Sequence, residues 1–271
     1  MVAALWAPSA APGAYLGGVD RHDRLVAGDP ADLAPYEQWR TSYSSDGREL
    51  AGFWLVPEGA GPFPAVVFNH GSGGLLPASM PGVRALPELG YAVFLAVRRG
   101  HNGQPGTFWE DRVTAAWGSP QMNEQLMAAL RDELRDVRAA VGWVADRPEV
   151  DRGRTALVGS SYGGVLTVLA AAEPGPVRAG VSFAGPSMTW PDAPALRRAM
   201  LVAAGAAAVP LFLAQAVDDN SLRPTYVVGA ELARRNRPHE VRVYPEGGHG
   251  LFGRPDLWRA DIAAFLTRWL G

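Results

Sequence analysis

The feature that most constrains the fold of this chain is a series of short, almost wholly apolar runs that end in glycine-rich or polar turns. These runs occupy residues 64–68, 91–97, 155–158, 181–183, 211–214 and 241–244. Continuous apolar runs of this length are typical of strands buried on both faces of a parallel sheet. Helical patterns lie between them, at residues 122–145, 162–172, 193–207, 225–235 and 256–270. This alternation predicts an α/β fold with a mostly parallel central sheet and helices on both faces.

The amino-terminal region precedes this regular pattern. Residues 1–18 are rich in Ala, Pro and Gly, and they lack the basic start and the apolar run of a signal peptide. Two strands, at 39–44 and 50–56, open the regular part, and no repeat, linker or break in composition follows them. The sequence therefore predicts an arm over residues 1–36, which is either mobile or packed over the body near a site. A single domain over 37–271 follows it.

Charge and hydropathy exclude two classes of partner. The 25 basic residues are balanced by 27 acidic ones, for a net charge of −2, so no positive excess is available to neutralise nucleic-acid phosphates. No segment approaches the roughly 18 unbroken apolar residues that a membrane-spanning helix requires. We therefore expect a cytoplasmic protein that binds neither nucleic acid nor membrane.

Cysteine and lysine are both missing from the sequence, and this narrows its covalent chemistry. Without cysteine there is no thiolate nucleophile, no iron–sulfur cluster and no cysteine-bound zinc. Without lysine there is no Schiff base and no phosphate-binding lysine of a P-loop. The five histidines and the carboxylates form no cluster with metal-ligand spacing, so we expect neither a metal nor a cofactor. A covalent mechanism must use Ser, Thr, Asp, Glu, His or Tyr.

A Gly-x-Ser-x-Gly motif at residues 159–163 supplies a candidate nucleophile, Ser161. It follows an apolar strand and precedes a helix, the context in which a sharp turn presents a serine above the sheet. The alternative is a connecting turn that happens to be rich in Gly and Ser. The neighbouring Ser160 does not fit, because Val158 and Tyr162 stand where its flanking glycines would have to be.

A nucleophilic serine needs a base, and the base needs an acid to orient it. Among the five histidines, His249 follows the last strand, in the glycine-rich loop 245–250, where its ring can reach inward. The alternative is an ordinary surface histidine. Two acids, Asp218 and Asp219, follow the run 211–214, and the residues alone leave the choice between them open. The order Ser, Asp, His along the chain is the order of the α/β-hydrolases.

The oxyanion of a tetrahedral intermediate needs two N–H donors. One should be the backbone N–H of Tyr162, the residue after the nucleophile. The other should come from the loop at 70–74, whose small residues let the backbone approach a substrate oxygen. We assign the N–H of Ser72, with Gly73 as the alternative, and expect His70 to orient this loop rather than to act in catalysis.

Substrate-binding residues are expected on the longest connection, residues 101–121, and on the loops beside it. Trp109, Trp117 and Trp190 are candidates for the wall of an acyl or aromatic pocket, unless they only pack these loops down. Two arginines, Arg98 and Arg99, follow a strand end, and one of them could bind a substrate carboxylate through two hydrogen bonds. The alternative for both arginines is a structural ion pair, with Glu110 or Asp111.

These residues together resemble the α/β-hydrolases, and more narrowly the dienelactone hydrolase family and the related prolyl-oligopeptidase-type catalytic domains. The matching segments are residues 45–47, 62–67, 70–74, 159–163, 218–219 and 248–250. The resemblance implies that Asp219 is the acid. The dienelactone hydrolases proper have a cysteine nucleophile, so Ser161 favours a general serine esterase or lactonase instead. Only residues 185–209 are available where relatives insert a cap, which implies no large cap domain and an open site, unless the N-terminal arm or the segment 101–121 covers it.

The sequence and the resemblance predict a serine hydrolase that cleaves carboxylic esters, lactones or thioesters through an acyl-enzyme on Ser161. Its expected partner is a small ester or acyl substrate. An acyltransferase or a biosynthetic cyclase would use the same acyl-enzyme with a different acceptor. A peptidase and a ligand-binding relative without catalytic activity are further alternatives.

Overall fold

The computed structural model describes residues 27–173 and 175–271. Its strands are β1 (Arg40–Ser45), β2 (Arg48–Leu55), β3 (Phe63–Asn69), β4 (Ala92–Ala96), β5 (Val150–Ser160), β6 (Val177–Phe183), β7 (Leu211–Ala216) and β8 (His239–Tyr244). Its α-helices are α1 (Met80–Glu88), α2 (Pro120–Ala145), α3 (Tyr162–Ala170), α4 (Pro194–Ala206), α5 (Arg223–Arg234) and α6 (Pro255–Leu270). Shorter 3-10 segments occupy Pro30–Trp39, Pro77–Ser79, Glu110–Arg112 and Gly248–Gly253.

Within the described residues the strands form a single eight-stranded sheet, in the order β1-β2-β4-β3-β5-β6-β7-β8. The pairs β1–β2 and β2–β4 are antiparallel, and every pair from β4 through β3 to β8 is parallel. The predicted mostly parallel sheet is therefore confirmed. Strand β4 lies between β2 and β3, so the strands are out of sequence order at this point. As a result, β3 and β5 occupy the centre of the sheet.

Helices cover both faces of this sheet, as the alternating pattern predicted. Side chains alternate in direction along a strand, so Val67 faces one core cluster and Val66 the other. On the first face, helix α2 buries a stripe at helical spacing that includes Leu126, Leu130 and Val137. On the second face, α6 buries residues that include Trp258.

Helix α1 had no clear signal in the sequence, because its residues Met80–Glu88 contain two prolines and a glycine. Pro81 lies in the first turn and Pro87 near the end, where a missing N–H costs little. Gly82 is required by packing, since a Cβ built on it would lie 2.2 Å from the Phe252 carbonyl oxygen. The helix thus forms because it fits closely against the 3-10 segment Gly248–Gly253.

The part of the predicted arm that the structure describes, residues 27–36, is packed against the body. Leu33 and Tyr36 are buried, and the Tyr36 hydroxyl donates a hydrogen bond to the Leu76 carbonyl at 2.7 Å. The amide of Gly28 donates to the Gly73 carbonyl at 2.6 Å, inside the loop predicted to bind the oxyanion. Residues 1–26 of the predicted arm lie outside the described residues.

The carboxyl ends of the parallel strands lie at one edge of the sheet, where ligands bind in open α/β folds. The loops that carry the predicted site residues follow β3, β4, β5, β6, β7 and β8 at this edge. Between β6 and β7 the structure describes every residue, and the chain forms only a loop and helix α4 there. No cap domain is inserted at that position. Over the described part of the chain, no helix is both long enough and apolar enough to cross a bilayer.

Candidate active site

Ser161 lies in a sharp turn between strand β5 and helix α3. Its backbone angles are φ 54° and ψ −119°, a combination that residues other than glycine rarely adopt. Such a conformation costs about 1–3 kcal/mol and persists only where the surroundings fix it. Here the Ser161 amide donates to the Phe183 carbonyl at 2.8 Å, and its own carbonyl accepts from the Val165 amide at 3.1 Å. The strained turn presents the Ser161 side chain at the carboxyl edge of the sheet.

The glycines that flank Ser161 are required by close backbone packing. A Cβ built on Gly163 would lie 2.0 Å from the Asn69 carbonyl oxygen. A Cβ built on Gly159 would lie 2.2 Å from the Gly163 carbonyl oxygen. Neither position can hold a larger residue without moving the backbone, which explains the spacing of the motif around Ser161.

His249 and Asp219 meet Ser161 from the loops after β8 and β7. His249 Nε2 lies 2.8 Å from Ser161 Oγ. His249 Nδ1 lies 3.0 Å from Asp219 Oδ1 and 3.2 Å from Oδ2. Because an ionised carboxylate only accepts hydrogen bonds, Nδ1 carries the ring proton and Nε2 is the acceptor for the serine hydroxyl. This tautomer is the one that can remove a proton from Ser161.

The carboxylate of Asp219 is buried and surrounded by donors. Asn220 donates to Oδ1 through its amide at 2.6 Å and through its side chain at 2.9 Å. The Gln215 side-chain amide donates to Oδ2. Burial by itself raises the pKa of Asp219, but hydrogen bonds from His249 and Asn220, with the His249 charge, bring it below its ordinary value. Asp219 is therefore ionised at neutral pH.

Asp218, the other acid that the residues left open, has a different position. Its Oδ1 accepts a hydrogen bond from the Gly248 amide at 2.8 Å. Asp218 thus contacts the backbone of the loop that carries His249, whereas Asp219 contacts the His249 ring itself. The geometry is that of an acid at Asp219 and of a loop anchor at Asp218.

The predicted oxyanion loop, residues 70–74, lies against Ser161. A Cβ built on Gly71 would be 3.7 Å from the Ser161 Cβ. Within the described chain, no hydrogen bond uses the backbone N–H of Ser72 or of Tyr162. Neither of the two amides predicted to bind the oxyanion is therefore occupied by an acceptor of the described residues.

The carbonyl groups of this loop are bound from outside the site. Arg98 donates to the His70 carbonyl at 2.9 Å and to the Gly71 carbonyl at 3.1 Å. Trp109 Nε1 donates to the Ser72 carbonyl at 3.0 Å, and His101 Nε2 lies 3.1 Å from the same oxygen. These contacts fix successive peptide planes without occupying the Ser72 amide.

His70 has the structural role that the sequence favoured. Its Nε2 accepts from the Arg98 amide at 3.1 Å, and its Nδ1 lies 2.8 Å from the Gly71 carbonyl. One acceptor and one donor describe a neutral ring. Burial, and then the Arg98 charge, hold the pKa of His70 well below its ordinary value.

The structure corrects the expectation that Arg98 binds a substrate carboxylate. Its guanidinium is fully buried, and its Nε lies 2.6 Å from a carboxylate oxygen of Glu133 on α2. Its remaining donors go to the oxyanion loop. Arg98 is thus a structural residue, and its ion-pair partner is Glu133.

The same correction applies to the prediction for Arg99. Its guanidinium pairs with Asp136 on α2 at 2.6 Å and with Asp46 at 3.0 Å. The predicted alternative, a structural ion pair, had the right kind of contact for both arginines. The predicted partners, Glu110 and Asp111, were wrong, because the partners lie on α2 and in the β1–β2 turn.

The three tryptophans predicted to line a pocket differ in exposure. Trp109 and Trp190 are buried, and the Trp109 ring stacks on Tyr162 with ring centroids 5.3 Å apart. Trp109 therefore packs the 101–121 connection onto both segments expected to bind the oxyanion. Trp117 keeps 41% of its surface exposed. A pocket wall built from these rings stays a prediction.

The sequence did not predict the polar residues that contact Asp219, which include Ser187 and Gln215 as well as Asn220. Ser187, in the loop after β6, places its hydroxyl 3.2 Å from Asp219 Oδ1. Gln215, at the end of β7, is fully buried, and its side-chain oxygen Oε1 accepts a hydrogen bond from the Thr225 hydroxyl at 2.6 Å. The signal for Gln215 was a polar residue inside an otherwise apolar strand. The signal for Ser187 was its place after a strand end.

Among the described residues, no three His, Asp or Glu side chains are grouped as a metal site requires. The arrangement that the described residues form is a serine hydroxyl, an imidazole and a carboxylate within hydrogen-bond distance, beside the loop predicted to bind an oxyanion. Chemically, it can support nucleophilic attack on a carbonyl carbon and hold the oxyanion that results.

The sequence model of the dienelactone hydrolase family matches residues 50–269. The chain is also 30% identical, over 125 residues, to the uncharacterized protein Rv2307c of Mycobacterium tuberculosis, a match that covers 46% of this chain and 37% of that protein. It is 29% identical over 163 residues to the uncharacterized protein YfhR of Escherichia coli, covering 58% of this chain and 49% of the relative. The matches thus span less than half the length of these curated relatives.

Solved structures show the same fold. The esterase Pf2001 of Pyrococcus furiosus superposes with a TM-score of 0.66 at 20% identity, covering 91% of this chain and 99% of that one. The acylaminoacyl peptidase of Pyrococcus horikoshii superposes with a TM-score of 0.67 at 21% identity, covering 85% of this chain and 41% of that one. At such identities the likeness establishes the fold, and the predicted α/β-hydrolase architecture is confirmed.

Proposed function

Because this chain belongs to the dienelactone hydrolase family, a family of α/β-fold hydrolases, we propose that it hydrolyses carboxylic esters through an acyl-enzyme on Ser161. The observation that carries the proposal is the pair of contacts made by His249. Its Nε2 is 2.8 Å from Ser161 Oγ, and its Nδ1 is 3.0 Å from Asp219 Oδ1. A nucleophile, a base and an orienting acid within hydrogen-bond distance of one another are the diagnostic arrangement for acyl transfer.

In the first half of the reaction, Ser161 Oγ attacks the ester carbonyl carbon while His249 Nε2 takes the hydroxyl proton. The carbonyl oxygen becomes an oxyanion, which the amides of Ser72 and Tyr162 bind. The imidazolium is stabilised by ionised Asp219. When the intermediate collapses, the bond to the alkoxy group breaks and His249 returns its proton to the leaving alcohol. The acyl group is then esterified to Ser161.

In the second half, water replaces the alcohol. His249 Nε2 takes a proton from the water as its oxygen attacks the acyl carbon, and the same amides bind the second oxyanion. Collapse releases the carboxylic acid, and the proton on His249 returns to Ser161 Oγ. The His249 side chain is 32% exposed, so water reaches the base directly.

Exposed apolar side chains at the carboxyl edge of the sheet suggest which esters the site accepts. Leu76, Trp117, Met188 and Val217 follow strands β3, β4, β6 and β7, and 40 to 57% of each remains exposed. Apolar side chains of this size, on several loops at the edge of the sheet that carries Ser161, favour an apolar ligand. Since Arg98 and Arg99 are committed to Glu133 and Asp136, neither can bind a substrate carboxylate. We therefore propose neutral, apolar esters as substrates.

A series of p-nitrophenyl esters from acetate to decanoate tests this proposal. We expect kcat/KM to rise by about fourfold for each added methylene over the first members, as burial of a CH₂ group predicts. A matched pair of similar length separates shape from charge: the pentanoate should be hydrolysed at least about tenfold faster than the hemisuccinate, because Arg98 and Arg99 are already paired and do not bind its free carboxylate. Absence of turnover across the whole series would contradict the esterase proposal. A preference for the hemisuccinate would contradict only the substrate class.

A further inference from the structure

Ser187 is a buried serine in the loop between β6 and α4, and its hydroxyl contacts both the proposed acid, Asp219, and the proposed base, His249. Its Oγ lies 3.2 Å from Asp219 Oδ1 and 3.2 Å from His249 Nδ1. We propose that Ser187 is a positioning residue for the reaction, whose hydroxyl holds the Asp219 carboxylate and shares the Nδ1 proton of His249. This inference rests on the proposed function, because it assigns Ser187 to the same site.

The direction of each hydrogen bond follows from the groups present. Asp219 is ionised, so its Oδ1 can only accept, and the Ser187 hydroxyl proton points to it. The lone pairs of Ser187 Oγ are then free to face His249 Nδ1–H. With the 3.0 Å contact from Nδ1 to Oδ1, the three atoms form a nearly equilateral triangle. The Nδ1 proton therefore has two acceptors, one charged and one neutral.

Ser187 lies far from Asp219 along the chain, unlike the other donors to that carboxylate. Gln215 and Asn220 lie within four residues of Asp219 along the chain, on the end of β7 and its loop. Ser187 is 32 residues from Asp219 and 62 from His249. Its hydroxyl thus ties the loop after β6 to the loops after β7 and β8, which fixes the acid relative to the base.

The backbone around Ser187 holds the hydroxyl in place. At the end of β6, Ala184 adopts φ 50° and its amide donates to the Ala214 carbonyl of β7 at 2.8 Å. Three residues later, the Ser187 amide donates to the Gly185 carbonyl at 2.8 Å. A positive φ outside glycine is strained, and here the bond to β7 fixes it. The loop is therefore built to turn Ser187 toward Asp219.

The contacts of Ser187 affect catalysis when the His249 ring becomes positively charged. When His249 takes the Ser161 proton, positive charge develops on the ring and the Nδ1–H bond becomes a stronger donor. Ser187 Oγ then stabilises the imidazolium while its proton stabilises the carboxylate. Asp219 is ionised in both states, whereas the contact with Nδ1–H becomes stronger only when the ring is charged, so the effect falls on the chemical steps and leaves substrate binding unchanged.

The test compares Ser187→Ala with Ser187→Thr, which keeps the hydroxyl, and with Ser182→Ala. Ser182 is a matched control, because it is also a buried serine of the β6 region, at 4% exposure against 3% for Ser187. We expect Ser187→Ala to lower kcat by about tenfold with KM unchanged, the size of a lost hydrogen bond to a charged group. Ser187→Thr should recover at least half of the activity, and Ser182→Ala should stay within about twofold of wild type.

A second readout does not depend on turnover. The low-field proton resonance of His249 Nδ1–H should shift in Ser187→Ala and stay in place in Ser182→Ala. An unchanged resonance, or a kcat within twofold of wild type, would overturn the role of Ser187. Equal losses in both alanine variants would show a general packing effect and would overturn it too. If the wild type hydrolyses no ester, the proposed function fails, while the resonance still decides whether Ser187 holds the Nδ1 proton.

Discussion

Ser161→Ala is expected to lower kcat/KM for ester hydrolysis by about 10⁴- to 10⁶-fold, the range found when a serine nucleophile is removed. The reason is that the substitution removes the hydroxyl group whose oxygen lies 2.8 Å from His249 Nε2. Thermal stability should change little, because Ala at this turn keeps the same positive φ of 54° and the same backbone hydrogen bonds. Initial rates with a p-nitrophenyl ester and a melting curve measure the two effects.

Ser160→Ala is the matched control for this prediction. Ser160 is adjacent in sequence but ends strand β5, and it lies in register with Phe183 on β6. We expect its replacement to leave kcat/KM within about threefold of wild type. Activity above 1% in Ser161→Ala, or an equal loss in Ser160→Ala, would show that Ser161 is not the nucleophile.

Asp219→Asn should have the second-largest effect, a fall of about 10³- to 10⁴-fold in kcat. An asparagine at this position can turn its NH₂ toward His249 Nδ1, which favours the tautomer with the proton on Nε2. That proton then faces Ser161, and the ring can no longer act as its base. Asp218→Asn is the control: its oxygen still accepts from the Gly248 amide, so we expect a change of threefold or less. Equal losses in the two variants would contradict the assignment of Asp219.

The same variant has a pH-dependent effect on stability. The folded-state pKa of Asp219 lies below its ordinary value of 3.8, so the ionised carboxylate stabilises the fold at neutral pH. This contribution is fully present above the ordinary pKa and disappears as the pH falls through the lowered one. The difference in melting temperature between wild type and Asp219→Asn should therefore shrink as the solution is acidified below about pH 4. A constant difference down to pH 2 would contradict the lowered pKa.

Short stretches of the sequence were enough to predict the buried strands, the turn at Ser161 and the loop that carries His249. The apolar runs marked the buried strands because a parallel strand is covered on both faces. The glycines at 159 and 163 marked Ser161 because the backbone approaches them at distances that exclude a side chain. His249 was singled out by its place after the last strand, and the choice of Asp219 needed the family resemblance.

Features that depend on distant partners could not be predicted from the same signals. Arg98 follows a strand end as a ligand-binding residue would, but its partner Glu133 is 35 residues away on the inner face of α2. Ser187 follows a strand end, but nothing in the sequence links it to Asp219, which lies beside it only in the folded chain. The 3-10 segment Pro30–Trp39 carries no amphipathic stripe, and it is ordered by the contact of Tyr36 with Leu76.

Labelling of the folded protein with a fluorophosphonate, read by intact mass and peptide mapping, shows directly whether Ser161 is the nucleophile. We predict one adduct per chain, located on Ser161 and missing in Ser161→Ala. Labelling with no ester turnover would keep the acyl-enzyme but move the conclusion to an acyltransferase or cyclase with another acceptor. An unlabelled wild-type protein, or an adduct on a residue other than Ser161, would contradict the claim that this serine is an activated nucleophile.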